Sequence, residues 1–183
     1  MKNAASISSE RLDLVPMTPA FYRACLQREH ATAETVLGLR IPQEWYEEQW
    51  VMRLRLQQLQ QDSTLQPWLL RAIALREQRT MIGHIGFHSA PGAEYLSELA
   101  PGAVEFGYTV FAPFRRQGHA REACAALMQW ARLERHVTRF IVSIRPDNIA
   151  SRGLAAQFGF ERIGSHIDEI DGLEDIYALH TNI

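Results

Sequence analysis

The chain has 183 residues, 46% of them hydrophobic and 22% charged, with a formal net charge of −2. That balance belongs to an ordinary water-soluble domain long enough for a substantial core, and it gives no ground for a nucleic-acid partner. Cys25 and Cys124 are far apart and neither has a neighbour at metal-ligand spacing, so free thiols in a reducing compartment are expected.

In chain order, Met1-Lys-Asn-Ala-Ala-Ser6 carries no apolar core of a secretion signal. Ile7 to Pro16 alternates around Leu12 and Leu14, which predicts a first strand. Thr18 fits an N-cap and Pro19 a first helical residue. The helix that follows is expected over Ala20 to Arg28, with Phe21, Ala24, Cys25 and Leu26 inside. A second helix covers Ala33 to Leu37 and stops at Gly38. After a break at Ile41-Pro42, a longer helix runs from Gln43 to Gln61 and aligns Trp45, Met52, Leu56 and Leu59. Trp68 to Leu75 and Met81 to Phe87 read as a hairpin closed by Glu77 to Thr80, with Gly83 and Gly86 marking a bulge or close packing.

A polar loop from Ser89 to Gly102 leads into a strand from Val104 to Phe111. A helix over 119–135 and a strand from Arg139 to Ile144 come next. Asn148 caps a helix that ends at Phe158, with Gly159 as its C-terminal glycine. Strands over 160–170 and 175–180 close the chain around an Asp171-Gly172 turn. No apolar run approaches the roughly 18 residues of a membrane span. The reading is one α+β domain over residues 1–183, with a mixed sheet, in the cytoplasm.

Phe106 to Ala123 concentrates the chemistry. A strand stopped by Pro113 passes into the basic turn Arg115-Arg116-Gln117-Gly118 and then a helix from His119. The unpaired N–H groups and the dipole of a helix N-terminus favour an anion. Gly118 alone would suit any strand-to-helix connection. Arg115, Arg116 and Arg121, however, oppose the helix dipole unless an anion joins them. That favours a phosphate cradle.

Arg115-Arg-Gln-Gly118-His-Ala120 is similar to Gln/Arg-x-x-Gly-x-Gly/Ala, the acetyl-CoA pyrophosphate motif of the GNAT superfamily of N-acetyltransferases. Arg145-Pro-Asp-Asn148-Ile-Ala-Ser151, followed by Phe158-Gly-Phe160-Glu-Arg-Ile-Gly164, resembles a second signature of the same family. The start Ile7-Ser-Ser-Glu-Arg-Leu-Asp-Leu-Val-Pro16 and Glu105-Phe-Gly-Tyr108 look like the ribosomal-protein alanine acetyltransferase (RimJ/RimL-like) branch. Two departures stand out. Pro113-Phe-Arg115 is one residue shorter than the family's Pro-x-x-Arg, and Ala155 stands where many members have a tyrosine acid.

The resemblance implies a GNAT-like fold, with a mixed, mostly antiparallel twisted sheet of about seven strands and helices on both faces. It also implies acetyl-CoA as co-substrate, no metal, and direct transfer to a primary amine in a ternary complex. The strand end at Val110 would pair with pantetheine. Backbone N–H groups of Arg116, Gln117, Gly118, His119 and Ala120 would hold the pyrophosphate, beside Arg115 and Arg116, with Gly118 giving room for close approach. Asn148 would hold pantetheine, and Ser151 would serve the cofactor sulfur as acid or simply cap its helix. Glu105 would be the base through water, or else a carboxylate paired with an arginine.

His84 and His88 are alternative bases. As strand residues four apart they would be roughly 13 Å from each other, too far to share one proton or metal. Tyr108 is read as a core aromatic. Trp45, Tyr46 and Trp50 would line an acceptor site or pack the core. The acceptor would be a protein N-terminus or a small amine, and a homodimer is an expectation of the branch. The rival readings are an acyl-CoA-binding domain without chemistry, which the missing tyrosine permits, and a nucleotide module, which no phosphate-loop motif supports.

Overall fold

The structure, a computed structural model, describes residues 4–168 and 172–181. The reading of the N-terminal signal therefore rests partly on residues outside those described, as does the turn predicted at Asp171. Two units interleave along the chain, one from residues up to 86 with 108–127, the other from 87–107 with residues from 128 onward.

In the first unit, β1 (Ile7–Ser8) and β2 (Leu12–Pro16) make an antiparallel hairpin where one strand is expected. Ser9 causes the split. Its N–H donates to Leu12 O at 2.9 Å, and Leu12 N donates to Ser9 Oγ at 3.3 Å. Helix α1 (Pro19–Leu26) starts as predicted, with Thr18 Oγ1 accepting from Phe21 N at 3.3 Å. Thr18→Ala is expected to cost about 1 kcal/mol, read as a fall in Tm of roughly 2–4 °C. Helix α2 (His30–Leu37) ends on left-handed Gly38.

The long helix expected over residues 43–61 is broken. Gln43–Glu47 is a 3-10 helix, Glu48 has non-helical backbone, and α3 (Gln49–Gln61) follows. Trp45 is fully buried, stacks on Phe21 at 5.9 Å between ring centroids, and donates Nε1–H to Cys25 Sγ at 3.3 Å. Together with Met17, Tyr22, Met52, Leu69, Met81 and Phe111 it forms this unit's core. Antiparallel neighbours β2, β3 (Arg71–Leu75) and β4 (Thr80–Phe87) carry that core. The register passes from Ile73–Gly83 to Ala74–Met81, which leaves Ile82 as the extra residue of a bulge beside Gly83.

Strand β5 (Val104–Val110) begins in the second unit and ends in the first; helix α4 (His119–Arg135), bounded as predicted, runs from the first into the second. In the second unit β5 lies parallel to β6 (Arg139–Ile144), through the pairs Val104–Phe140 and Glu105–Ile141. Strand β6 pairs antiparallel with β8 (Gly172–His180), and β8 with β7 (Glu161–Asp168). Between β6 and β7 stands α5 (Ile149–Phe158), which ends on left-handed Gly159. Leu96, Ala100, Ala103, Ile141 and Ile176 pack as this unit's own apolar cluster. Among the described residues the strands number eight against the expected seven or so, because the first is a hairpin. No helix among the described residues is long and apolar enough to cross a membrane.

Candidate active site

The turn between β5 and α4 lies in the first unit. Beyond Pro113 the chain makes one 3-10 turn (Ala112–Phe114), and Arg115 Nε reaches back to donate to Val110 O at 2.8 Å. This bond occupies the carbonyl of the strand residue expected to meet pantetheine, and it answers the shortened Pro113-Phe-Arg115 spacing. Arg115 braces the turn, while the exposed Arg116 lies at its bend.

Arg116 and Gly118 both have positive φ, 61° and 81°. Backbone of this kind gathers successive N–H groups into an anion-binding concavity, and the first N–H groups of α4 add to it. A Cβ at Gly118 would sit 3.3 Å from Arg11 Nη2 as well as demanding a strained φ. His119 is buried, with Nδ1 3.0 Å from Phe114 O. A carbonyl only accepts, so Nδ1 carries the proton and the ring holds the turn.

The sequence reading missed the clamp on this turn. Glu122, in the first turn of α4, accepts at Oε1 from Ser9 Oγ and Arg11 N, both at 2.7 Å, and at Oε2 from Arg11 Nε at 2.7 Å. Arg11 Nη1 also donates to Gln117 O at 3.1 Å. Burial raises the Glu122 pKa, but these donors and the Arg11 charge outweigh it and hold the carboxyl below its ordinary range. The one signal for this clamp is Arg11 itself, which belongs to the branch-like start of the chain.

Glu105 lies in the second unit, 6% exposed. Ser143 Oγ donates to its Oε1 at 2.6 Å, and His88 Nδ1 lies 3.6 Å from its Oε2. Desolvation pushes its pKa up, but His88, Ser143 and the Tyr95 hydroxyl more than reverse that and bring it down to about 2. No arginine is among these partners; the carboxylate is paired with an imidazole and two hydroxyls. Ser143 and Tyr95 were not anticipated. Ser143 is the one polar residue in the apolar run from Phe140 to Ile144, and a buried carboxylate requires such a donor.

Asn148 Oδ1 caps α5 by accepting from Ser151 N at 3.1 Å. Residue 155 is a buried alanine, so the missing phenol is not replaced from that position.

His84 is placed differently from His88. It is 7% exposed, with its ring centroid 5.5 Å from that of Trp45 and 6.3 Å from that of Phe111. The Glu48 carboxyl is lowered chiefly by its contact with this imidazole. Of the three aromatics considered for an acceptor site, Trp45 is core, Tyr46 is half-buried against that core, and Trp50 is 58% exposed. Both cysteines are free and buried, and burial pushes the Cys25 thiol up to about 11. Among the described residues no group of three or more His, Cys, Asp or Glu is placed to hold a metal.

The strand order and the glycine-hinged turn define an acetyltransferase-like fold. The acetyltransferase (GNAT) domain matches residues 11–161, and the chain belongs to that family. It is 28% identical over 92 residues to the uncharacterized N-acetyltransferase YnaD of Bacillus subtilis (strain 168), an overlap of 50% of this chain and 49% of YnaD. The match thus spans about half the length of this curated relative.

Two solved structures share the fold over nearly all of both chains. One is the RimL ribosomal L7/L12 α-N-protein acetyltransferase in complex with coenzyme A, at 21% identity and TM-score 0.66, covering 97% of this chain and 98% of that one. The other is the acetyl transferase from Salmonella typhimurium that modifies the N-terminal serine of 50S ribosomal subunit protein L7/L12, at 19% identity and TM-score 0.65, covering 97% and 100%.

Proposed function

We propose that the protein is a cytoplasmic N-acetyltransferase that moves the acetyl group of acetyl-CoA directly to a primary amine, preferentially the α-amine of a protein N-terminus. The observation that carries this reading is the Arg115–Ala120 turn, with left-handed Arg116 and Gly118 opening α4 in a chain of the acetyltransferase (GNAT) family. Its N–H groups hold the pyrophosphate, and Val110 ends the strand along which pantetheine lies. Asn148 orients pantetheine, and Ser151 donates to the cofactor sulfur. Glu105 supplies the negative charge around which proton removal from the amine is arranged. Acetyl-CoA brings the activated thioester, and the protein brings orientation and proton handling.

Acetyl-CoA at about 100 times its Kd should add roughly 2.7 kcal/mol of stability. For a chain of this size that is a rise in Tm of several degrees, at about 2–4 °C per kcal/mol. No shift at millimolar acetyl-CoA would sink the reading. Ala155, in the place of a tyrosine acid, favours a second reading as an acyl-CoA-binding domain without turnover. Thiol release with a panel of N-terminal peptides and small primary amines separates the two. Steady release with any of them discards the second.

A further inference from the structure

We infer that His88 is the group that takes the proton from the acceptor ammonium, with Glu105 acting on it as a positioning residue. This rests on the acetyltransfer reading above and assigns the proton step within it. His88 and Glu105 are joined twice. His88 N donates to Glu105 O at 2.8 Å, which fixes the two backbones, and the imidazole Nδ1 stands 3.6 Å from Glu105 Oε2. The imidazole is 41% exposed while the carboxylate is 8% exposed, so substrate meets the ring before it meets the acid.

The far nitrogen, Nε2, lies over Gly107, where an added Cβ would come within 3.2 Å of it. A side chain at position 107 would therefore press on that side of the ring, and glycine leaves it that room. Ser143 and the Tyr95 hydroxyl also hold the carboxylate, and Glu105 from β5 is the titratable group paired with the imidazole.

A carboxylate whose pKa is lowered by its hydrogen-bonding partners is a weak proton acceptor at neutral pH, since transfer is most effective when the base's pKa lies near the operating pH. What such an anion does well is fix a neighbouring imidazole as its Nδ1–H tautomer and steady the imidazolium once formed. Nε2 is then the accepting nitrogen.

In the step itself, Nε2 removes one proton from R–NH3+. The freed lone pair forms the C–N bond to the thioester carbonyl, and the C–S bond breaks with its electron pair going to sulfur. The second amine proton passes to that thiolate, and His88 returns the first proton to solvent. The products are the amide, CoA-SH and one H+.

The test uses full-length wild type and H88Q with acetyl-CoA and the panel of N-terminal peptides and small primary amines. H88Q is expected to lower kcat by about 10²- to 10⁴-fold, with the KM for acetyl-CoA within about twofold of wild type. The acid limb of the wild-type kcat/KM profile should be lost in the variant. Nitrogen-15 NMR of histidine-labelled wild type should show His88 as the Nδ1–H tautomer, a readout that needs no turnover. Wild-type activity retained in H88Q, or an Nε2–H tautomer in wild type, overturns the assignment while leaving acetyltransfer standing. A wild type that binds acetyl-CoA but releases no thiol with any amine overturns both.

Discussion

Gly83→Ala is expected to lose about 3 kcal/mol of folding stability, measured by urea unfolding against wild type. A Cβ at this position would collide with Thr109 O and lie 3.0 Å from both the Thr109 carbonyl carbon and Val110 Cα. All three are backbone atoms, so no side-chain rotation relieves the overlap. Nor can the strands part cheaply: Phe111 N donates to Ile82 O at 2.9 Å next to the clash, and Gly83 is itself registered on Ile73.

Gly153 is the control. It lies exposed inside α5 with nothing within 4 Å of its would-be Cβ, so Gly153→Ala should stabilise by about 0.5–1 kcal/mol. A Gly83→Ala protein within about 1 kcal/mol of wild type would mean that β5 can move away from β4 more easily than this packing allows. Because the clash is against Thr109 and Val110, the proposed course of pantetheine along β5 to Val110 requires the loss to extend to acetyl-CoA binding wherever the variant stays folded.

Local signals were sufficient for much of this molecule. Helix α4 is legible to the residue, because Ala123, Leu127 and Ala131 recur at helical spacing and are buried. Thr18, Asn148, Gly38 and Gly159 are legible because a cap or a helix end is decided within a few residues. The same holds for the Arg115–Ala120 turn, whose glycine and arginines are contiguous.

The features that escaped a sequence reading depend on partners far along the chain. The break at Glu48 stands where its carboxylate meets His84, and the helical pattern on either side of it gives no warning. Arg11 meets Glu122 across 111 positions, and Ser143 meets Glu105 across 38. Glu105 can be picked out as an acid in a strand, but what it does is set by Ser143, Tyr95 and His88, none of which its neighbours in sequence announce.

The second large effect concerns that carboxylate under acid. Glu105 falls from the usual 4.5 to about 2 in the folded protein: burial alone would raise it, but His88, Ser143 and Tyr95 outweigh burial. A depressed folded pKa stabilises the protein above the unfolded value, and the contribution drains away as pH falls through the folded one. The window is therefore about 4.5 down to about 2. At about 1.4 kcal/mol per unit, the part of the stability at stake is about 3 kcal/mol.

Wild type is accordingly expected to lose about 3 kcal/mol more than E105Q between pH 6 and pH 2, read from urea unfolding at several pH values. The two proteins should converge in stability at the acid end. The comparison isolates Glu105 and the His88 paired with it, because Asp13, Glu48 and Glu122, whose pKa values are also lowered, are present in both proteins. Equal acid sensitivity in the two would show that Glu105 is not held in its charged form by these partners. It would also remove the electrostatic support for the His88 assignment, which would then stand on the paired geometry and the greater exposure of the imidazole alone.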